Sequence, residues 1–204
     1  MWHICFTTRR SDDCDRVRAG PTKRRPAPFP RRALNDNLLT MVSDRLRYRP
    51  VKLADLDEFH GLVQDPYVRR YFMDGNLYPR EWSEERVSES ARLFERRGVG
   101  IWMVTDLTTN ELVGFCGFLE ILRIHPEPQL VYAMFERFSG NGYATEMART
   151  SIAHARRQSG FAEVIASVDE VNVASLRILE KLVFERIATQ QGSFGNVFVL
   201  RLAG

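Results

Sequence analysis

Cysteine is scarce in this chain, with three in 204 residues. Cys5, Cys14 and Cys116 form no CxxC pair and have no histidine at ligand spacing, which argues against a zinc site or a disulfide scaffold and suits a reducing compartment. No metal is expected. Long apolar runs are missing too. Nothing approaches the ~20 residues of a membrane-spanning helix, and the N-terminus lacks the unbroken apolar core of a secretory signal. The chain is therefore expected in the cytoplasm, with no membrane partner. It is also short for two domains, while one domain of this length buries a sizeable core.

What is present is unevenly placed. Residues 1–40 hold nine Arg or Lys against four Asp, a net +5, which leaves −2 for the remainder of a chain totalling +3. The same segment contains "GPTKRRPAPFPRR", with four of the nine prolines, and shows no periodicity. It reads as a disordered basic extension, with an organised domain over 41–204 opened by Met41. Lys and Arg clusters attract phosphate, but no aromatic beyond Phe29 interleaves them, so nucleic acid is not the expected partner. Cys116, inside "LVGFCGF", reads as a packed core thiol.

From Arg45 onward the apolar spacing sets out an alternation of elements. "RLRYRPV" has the period of a strand with Leu46, Tyr48 and Pro50 on one side. "ADLDEFHGLVQ" predicts a helix with Leu56, Phe59 and Val63 on one face, opened by Asp55 and Glu58 as a capping box. A short helix follows Pro66, and a longer one between Pro79 and Gly98 is anchored by Trp82, Ala91 and Phe94. "GIWMVTDL" and "ELVGFCGFLEIL" make a hairpin through "TTN", and "QLVYAMF" is a further strand. A helix with Ala144, Met147, Ala148, Ser151, Ile152 and Ala155 on one face comes next. Strand "FAEVIASV", a helix opened by Asn172, and a closing hairpin around Gly192 and Gly195 complete the chain. The expected class is mixed α/β.

The stretch "SGNGYATEM", residues 139–147, places two glycines where a helix begins. The first N–H groups of a helix have no partners in the helix and favour an anion. Glycines ahead of them allow close backbone approach to phosphate. A nucleotide-hydrolysing loop would need Lys and Ser or Thr where Tyr143 and Ala144 stand. A dinucleotide fingerprint would need glycine in place of Thr145. A coenzyme A diphosphate loop and a bare strand-to-helix turn both remain.

Together with "NVASLRILEKLVF", this stretch resembles the two signature motifs of the GCN5-related N-acetyltransferase (GNAT) superfamily. The branch it is most similar to is the RimJ/RimL type, the ribosomal-protein-alanine N-acetyltransferases; "RLRYRPVKLADLDEFHGLVQDPYVRRYF" and "ELVGFCGF" add to that likeness over 41–204. The resemblance implies a central, mostly antiparallel twisted sheet flanked by helices, and acetyl-CoA as cosubstrate, held by backbone amides of Gly140, Asn141, Gly142, Tyr143, Ala144 and Thr145. Ser139 takes the position usually filled by Gln or Arg. Ala133, Met134 and Phe135 would pair with the pantetheine arm like an added strand, with an N–H near Met134 toward the thioester oxygen. Asn172 aligns with an asparagine contacting the pantetheine and equally suits a helix N-cap. Ser175 aligns with a hydroxyl near the leaving sulfur, and Leu179 replaces the tyrosine many relatives carry. Val183 stands where the family usually has a helix-ending glycine. A left-handed valine is sterically costly, so that helix end is expected to be built differently.

The implied reaction is attack of a neutral amine on the thioester through a tetrahedral intermediate. Gln129 occupies the position of a frequent family glutamate, which makes Glu120 the first candidate base, with Glu127 and His125 behind it. An α-amine, with pKa about 8 against about 10.4 for lysine, is roughly 3 kcal/mol easier to deprotonate. The expected acceptor is therefore a protein N-terminus, with a small amine such as an antibiotic or polyamine, or acyl-CoA binding without turnover, as alternatives. A homodimer is left open.

Overall fold

The computed structural model describes residues 39–72, 75–121, 124–192 and 195–204. The basic extension lies outside these residues up to position 38. Leu39 is already buried, and its carbonyl accepts a 2.7 Å hydrogen bond from Trp102 Nε1.

The elements are β1 (Met41–Val42), β2 (Leu46–Pro50), α1 (Leu56–Gln64), α2 (Pro66–Phe72), α3 (Arg80–Arg97), β3 (Ile101–Asp106), β4 (Leu112–Leu119), β5 (Gln129–Met134), α4 (Tyr143–Ser159), β6 (Glu163–Asp169), α5 (Val173–Lys181), β7 (Glu185–Gly192) and β8 (Gly195–Ala203). One sheet orders them β1-β2-β3-β4-β5-β6-β8-β7. Every neighbouring pair is antiparallel except β5 with β6, the one parallel contact. The mixed α/β class is as the apolar spacing predicts, and the mostly antiparallel sheet is as the resemblance implies.

Both faces of the sheet are covered. One carries Leu46, Tyr48, Trp102, Val104, Val113, Cys116, Leu130, Val164 and Ala166 against Met147, Ala148, Ile152 and Ala155 of α4 and Leu179 of α5. The other packs Ile101, Met103, Phe115 and Val131 against Leu56, Phe59 and Val63 of α1, Val68 of α2, and Trp82 and Val87 of α3. Central strands buried on both sides lose the in-out alternation, which explains why β3 and β4 read as continuous apolar runs. Cys116 Sγ lies 3.0 Å from Ser151 Oγ, and complete burial pushes its thiol up to about 12.

Local expectations failed at three helix ends or faces. Asp55 does not close a capping box with Glu58; its Oδ2 accepts from the Lys52 N–H at 2.9 Å and from Arg49 Nη1 at 2.5 Å, so the carboxylate fixes the preceding turn. Ala91 of α3 faces solvent, while Val87, Leu93 and Phe94 do the anchoring. The end of α5 is also not built differently. Val183 adopts the left-handed conformation itself, with φ 63°. Its N–H donates to Glu180 O at 2.9 Å and the Phe184 N–H to Leu179 O at 3.0 Å, the bonding normally closed by glycine.

That valine is a local strain. A left-handed non-glycine residue costs about 1–2 kcal/mol, and Val183 is 72% exposed, so little burial offsets it. Val183→Gly should therefore stabilise the protein by about 1 kcal/mol after the larger chain entropy of glycine is deducted. Thermal unfolding is expected to rise by about 2–4 °C. An unchanged or lowered midpoint would show that the strain is relieved elsewhere.

Candidate active site

The connection from β5 to α4 runs through a short 3-10 turn, Glu136–Phe138, into Ser139. Gly140 and Gly142 then both take left-handed conformations, φ 79° and 80°, curling the chain into the first turn of α4. The Glu146 N–H is the first to close a helical bond, to Gly142 O at 3.1 Å, so the amides ahead of it have no partner within the helix. A Cβ added at Gly140 would meet nothing within 4 Å, and one at Gly142 only the tip of Arg45 at 3.7 Å. The side of the loop a Cβ would occupy is open, as a phosphate cradle requires.

A clamp that sequence reasoning missed holds this loop. Arg45, just before β2, donates from Nη1 to Asn141 O at 2.9 Å and from Nε to Glu146 Oε2 at 2.8 Å. Its guanidinium lies 4.2 Å from the Tyr143 ring centre, and Tyr143 Oη donates to Asp106 Oδ2 at 2.7 Å. Ser43 Oγ and the Arg45 N–H complete the Glu146 carboxylate at 2.7 and 3.0 Å. Burial pushes the Glu146 carboxyl up, but these hydrogen bonds outweigh it and hold the group below its usual range. Hydrogen bonds from the Thr109 backbone and the Tyr143 hydroxyl likewise lower Asp106. Ser139 Oγ donates to Tyr67 Oη of α2 at 3.0 Å, tying the loop to the opposite face of the sheet.

The second feature is a split in the sheet. β5 pairs with β6 only at Gln129 and Ile165, so the strands part toward Met134 and Asp169. On its other side β5 stays fully paired, from Leu119↔Gln129 to Gly114↔Met134, and the Phe135 N–H continues the ladder to Val113 O at 3.1 Å. Backbone direction alternates along a strand. The Ala133 and Phe135 amides thus point at β4, and those of Tyr132 and Met134 face the open edge.

Across that gap stands the start of α5. Asn172 is buried; its Oδ1 accepts from the Ser175 N–H at 3.1 Å, and its Nδ2 reaches Tyr71 O of α2 at 3.5 Å. It therefore caps the helix and leans across the gap at once. Ser175 is half-buried on the same turn, beside Tyr132, a second residue the sequence did not single out. The phenol is sealed from solvent and makes no hydrogen bond of regular geometry. Burial pushes it up to about 12, and the nearby Ser175 hydroxyl acts in the other direction.

A cleft of about 660 Å³ is lined by Pro66, Arg69, Arg70 and Tyr71 of α2, Gly75, Asp169 at the end of β6, and Val171 and Asn172 after it. It is reached from solvent.

Ser139–Thr145, Ala133–Phe135, Asn172 and Ser175 are thus brought around one gap. Glu120 is not among them. It follows β4 beyond the Gln129 end of β5, roughly 17 Å from Met134 by strand rise, and pairs with Arg96 of α3 at 2.9 Å. Glu127 pairs with Arg97 at 2.8 Å, and His125 Nδ1 accepts from the Glu127 N–H at 3.1 Å. Gln129 is fully buried and spent, accepting from Ser167 Oγ at 2.7 Å and donating to Ile121 O at 3.0 Å. Among the described residues no group of His, Cys, Asp and Glu could hold a metal ion, and no helix is long and apolar enough to cross a membrane.

A split sheet, a glycine cradle at a helix start and a capped helix across the gap together define an acyl-coenzyme A transferase architecture. The family comparison agrees: the acetyltransferase (GNAT) domain matches residues 45–185, and the chain belongs to that family. Among its relatives is YkkB of Bacillus subtilis, an uncharacterized protein 31% identical over 144 residues, covering 70% of this chain and 83% of YkkB. Solved structures with the same fold include RimL, a ribosomal alpha-N-protein acetyltransferase in complex with coenzyme A, with TM-score 0.67, 18% identity, and coverage of 80% of this chain and 96% of RimL. They also include a spermidine N-acetyltransferase from Vibrio cholerae in complex with coenzyme A and spermine, with TM-score 0.64, 16% identity, and coverage of 79% and 96%. At these identities the likeness concerns the fold. The protein is an acyltransferase of the GNAT type.

Proposed function

We propose that this protein transfers the acetyl group of acetyl-CoA to the free α-amine of a protein or peptide. The observation carrying this reading is the conjunction of the open amide cradle at Gly140–Thr145 with the unpaired β5 edge at Met134. One set of main-chain donors suits a diphosphate, the other an extended arm and a developing oxyanion. Acetyl-CoA supplies the activated acyl thioester.

The protein's own groups divide the remaining work. Amides from Gly140 to Thr145, together with the N-terminal dipole of α4, hold the anion, while Arg45 fixes their directions. The Met134 N–H, on a strand locked to β4, is placed to stabilise negative charge on a carbonyl oxygen without reorganising. Asn172 orients the arm from the α5 side. Ser175, with the Tyr132 phenol beside it, supplies the proton for the departing thiolate.

The charges of the cleft support this acceptor class. A polyamine or aminoglycoside carries several positive charges and would favour acidic walls. The charged groups lining this cleft are Arg69, Arg70 and Asp169, two cations against one carboxylate. That balance supports a single amine on a neutral or acidic peptide. An α-amine, weakly basic, also needs the least help in losing its proton.

Two measurements test this. Acetyl-CoA at about a hundredfold excess over its Kd should stabilise the fold by about 2.7 kcal/mol, an upward shift of roughly 5–10 °C for a chain of this size. ATP and NAD should shift nothing. Acetyl-CoA-dependent thiol release should then appear with peptides bearing a free N-terminus and stay near background with spermidine and kanamycin. Turnover on the polyamine alone would move the assignment to a small-molecule acceptor. No thermal shift with acetyl-CoA would remove the cosubstrate.

A further inference from the structure

Asp169 is the last residue of β6, and nothing in the binding motifs accounts for it. Its carboxyl is half-buried, and among the described residues no cation or hydrogen-bond donor partners its side chain. Half-buried carboxylates are normally paired, because burial without a partner is costly. Here burial alone acts on the group and raises its pKa above the usual carboxylate range.

Its position is set by the register. Gln129 pairs with Ile165; the same register continued would put Ala133 opposite Asp169, where the two strands have parted. Asp169 therefore stands at the end of β6 that has parted from β5. Its side follows from alternation: Val164, Ala166 and Val168 point into the core under α4, so Ile165, Ser167 and Asp169 point the other way, toward α2. The cleft opens on that side, with Asp169 in its wall. Ser175 and Tyr132 lie on the α5 side. The sheet thus separates the two proton-handling positions, with the gap between them.

The charged and titratable neighbours are few. Arg69, Arg70 and Tyr71 of α2 share the cleft. Glu170, the next residue, is engaged by Asn196 Nδ2 of β8 at 3.0 Å. Gly192 of β7, which a Cβ would bring within 3.7 Å of Asp169 Oδ1, has no side chain to reach it. The carboxylate is left to meet whatever enters the cleft.

From this placement we infer that Asp169 binds the acceptor ammonium and is the general base that removes its proton. The inference rests on the acetyltransferase reading above. The ammonium R–NH3+ gives one proton to the carboxylate, and the freed nitrogen adds to the thioester carbonyl. The N–C bond forms, the C–S bond breaks, and the second N–H proton ends on the departing sulfur through the Ser175 side. Asp169 then releases its proton to water, so the sum is amide, free thiol and one proton. No other co-reactant is needed.

The test is the pH dependence of kcat/KM from pH 6 to 9.5, with a hexapeptide bearing an N-terminal alanine as acceptor. For the wild-type protein the profile should be flat from above the Asp169 pKa to the amine pKa of about 8, because the enzyme removes the proton. Asp169→Asn can use only the amine already free in solution, so its profile should rise about tenfold per pH unit up to about pH 8. The deficit should be about 100-fold at pH 6.5, within the range of general-base effects, and under about fivefold at pH 9. Asp169→Glu should keep the flat profile at a lower rate. The acetyl-CoA thermal shift should be the same in all three proteins, which also reports that each is folded. An equal loss at every pH, or no loss, would overturn the role of Asp169 and leave the acetyltransferase reading standing. A wild-type protein that turns over no peptide would overturn both.

Discussion

Replacing Gly142 with aspartate should weaken acetyl-CoA binding by about 100-fold or more while the protein still folds. Gly142 is the N-cap of α4 and sits at φ 80°, a region that Asp and Asn tolerate better than other side chains. Its Cβ direction is open apart from Arg45. The fold is therefore asked for about 1 kcal/mol of strain, against a typical stability of about 5–15 kcal/mol. Binding is asked for far more, since a carboxylate would stand where a diphosphate is held. Like charges brought together in a partly desolvated site cost several kcal/mol, and 1.4 kcal/mol is a factor of ten. Gly142→Asn separates charge from shape and should lose about tenfold or less. Calorimetric titration with acetyl-CoA reads both. If aspartate and asparagine weakened binding equally, the loss would be steric. If neither did, the diphosphate would not be held at this loop.

The second large effect belongs to Ser175. Ser175→Ala should lower kcat by about 100-fold, the scale of one proton donor in an acyl transfer, and change the KM for acetyl-CoA by less than about threefold. The hydroxyl is half-buried beside the sealed Tyr132 phenol, so water does not readily replace it. The helix cap should survive, because Asn172 accepts from the Ser175 backbone N–H and not from its hydroxyl. Tyr132→Phe should cost less, about tenfold, and the double variant should lose little more than Ser175→Ala, since groups acting through one proton path are not additive. Initial rates over both substrates give these values. Additive losses would place the two hydroxyls on separate tasks, and an unchanged kcat in Ser175→Ala would take the serine out of the chemistry.

Much of the architecture was legible before any tertiary contact was known. Period two in "RLRYRPV" gave β2 with Leu46, Tyr48 and Pro50 buried, and period 3.6 placed Ala144, Met147, Ala148, Ser151, Ile152 and Ala155 on the buried face of α4. Both follow from which side of an element must leave water. Glycine spacing located the bend before α4, because few residues other than glycine turn left-handed cheaply. The same rule misled at Val183. Steric cost alone said a valine would avoid φ 63°, yet the bonds to Leu179 and Glu180 hold the chain there. Glu120, the first candidate base, follows β4 at the end away from the gap and pairs with Arg96. Position along a strand does not say in advance which end meets the gap.

By itself, then, the sequence determined which segments become strands and helices, which faces they bury, and where main-chain amides are left free, since these are properties of a few adjacent residues. Tertiary structure alone decided that Arg45 clamps a loop far along the chain, that Tyr132 stands beside Ser175, and that Asp169 has no side-chain partner among the described residues. Each depends on how far β5 and β6 diverge and on what α2 carries to the gap. That geometry is set by the packing of the whole sheet against helices on both faces, and no local pattern encodes it.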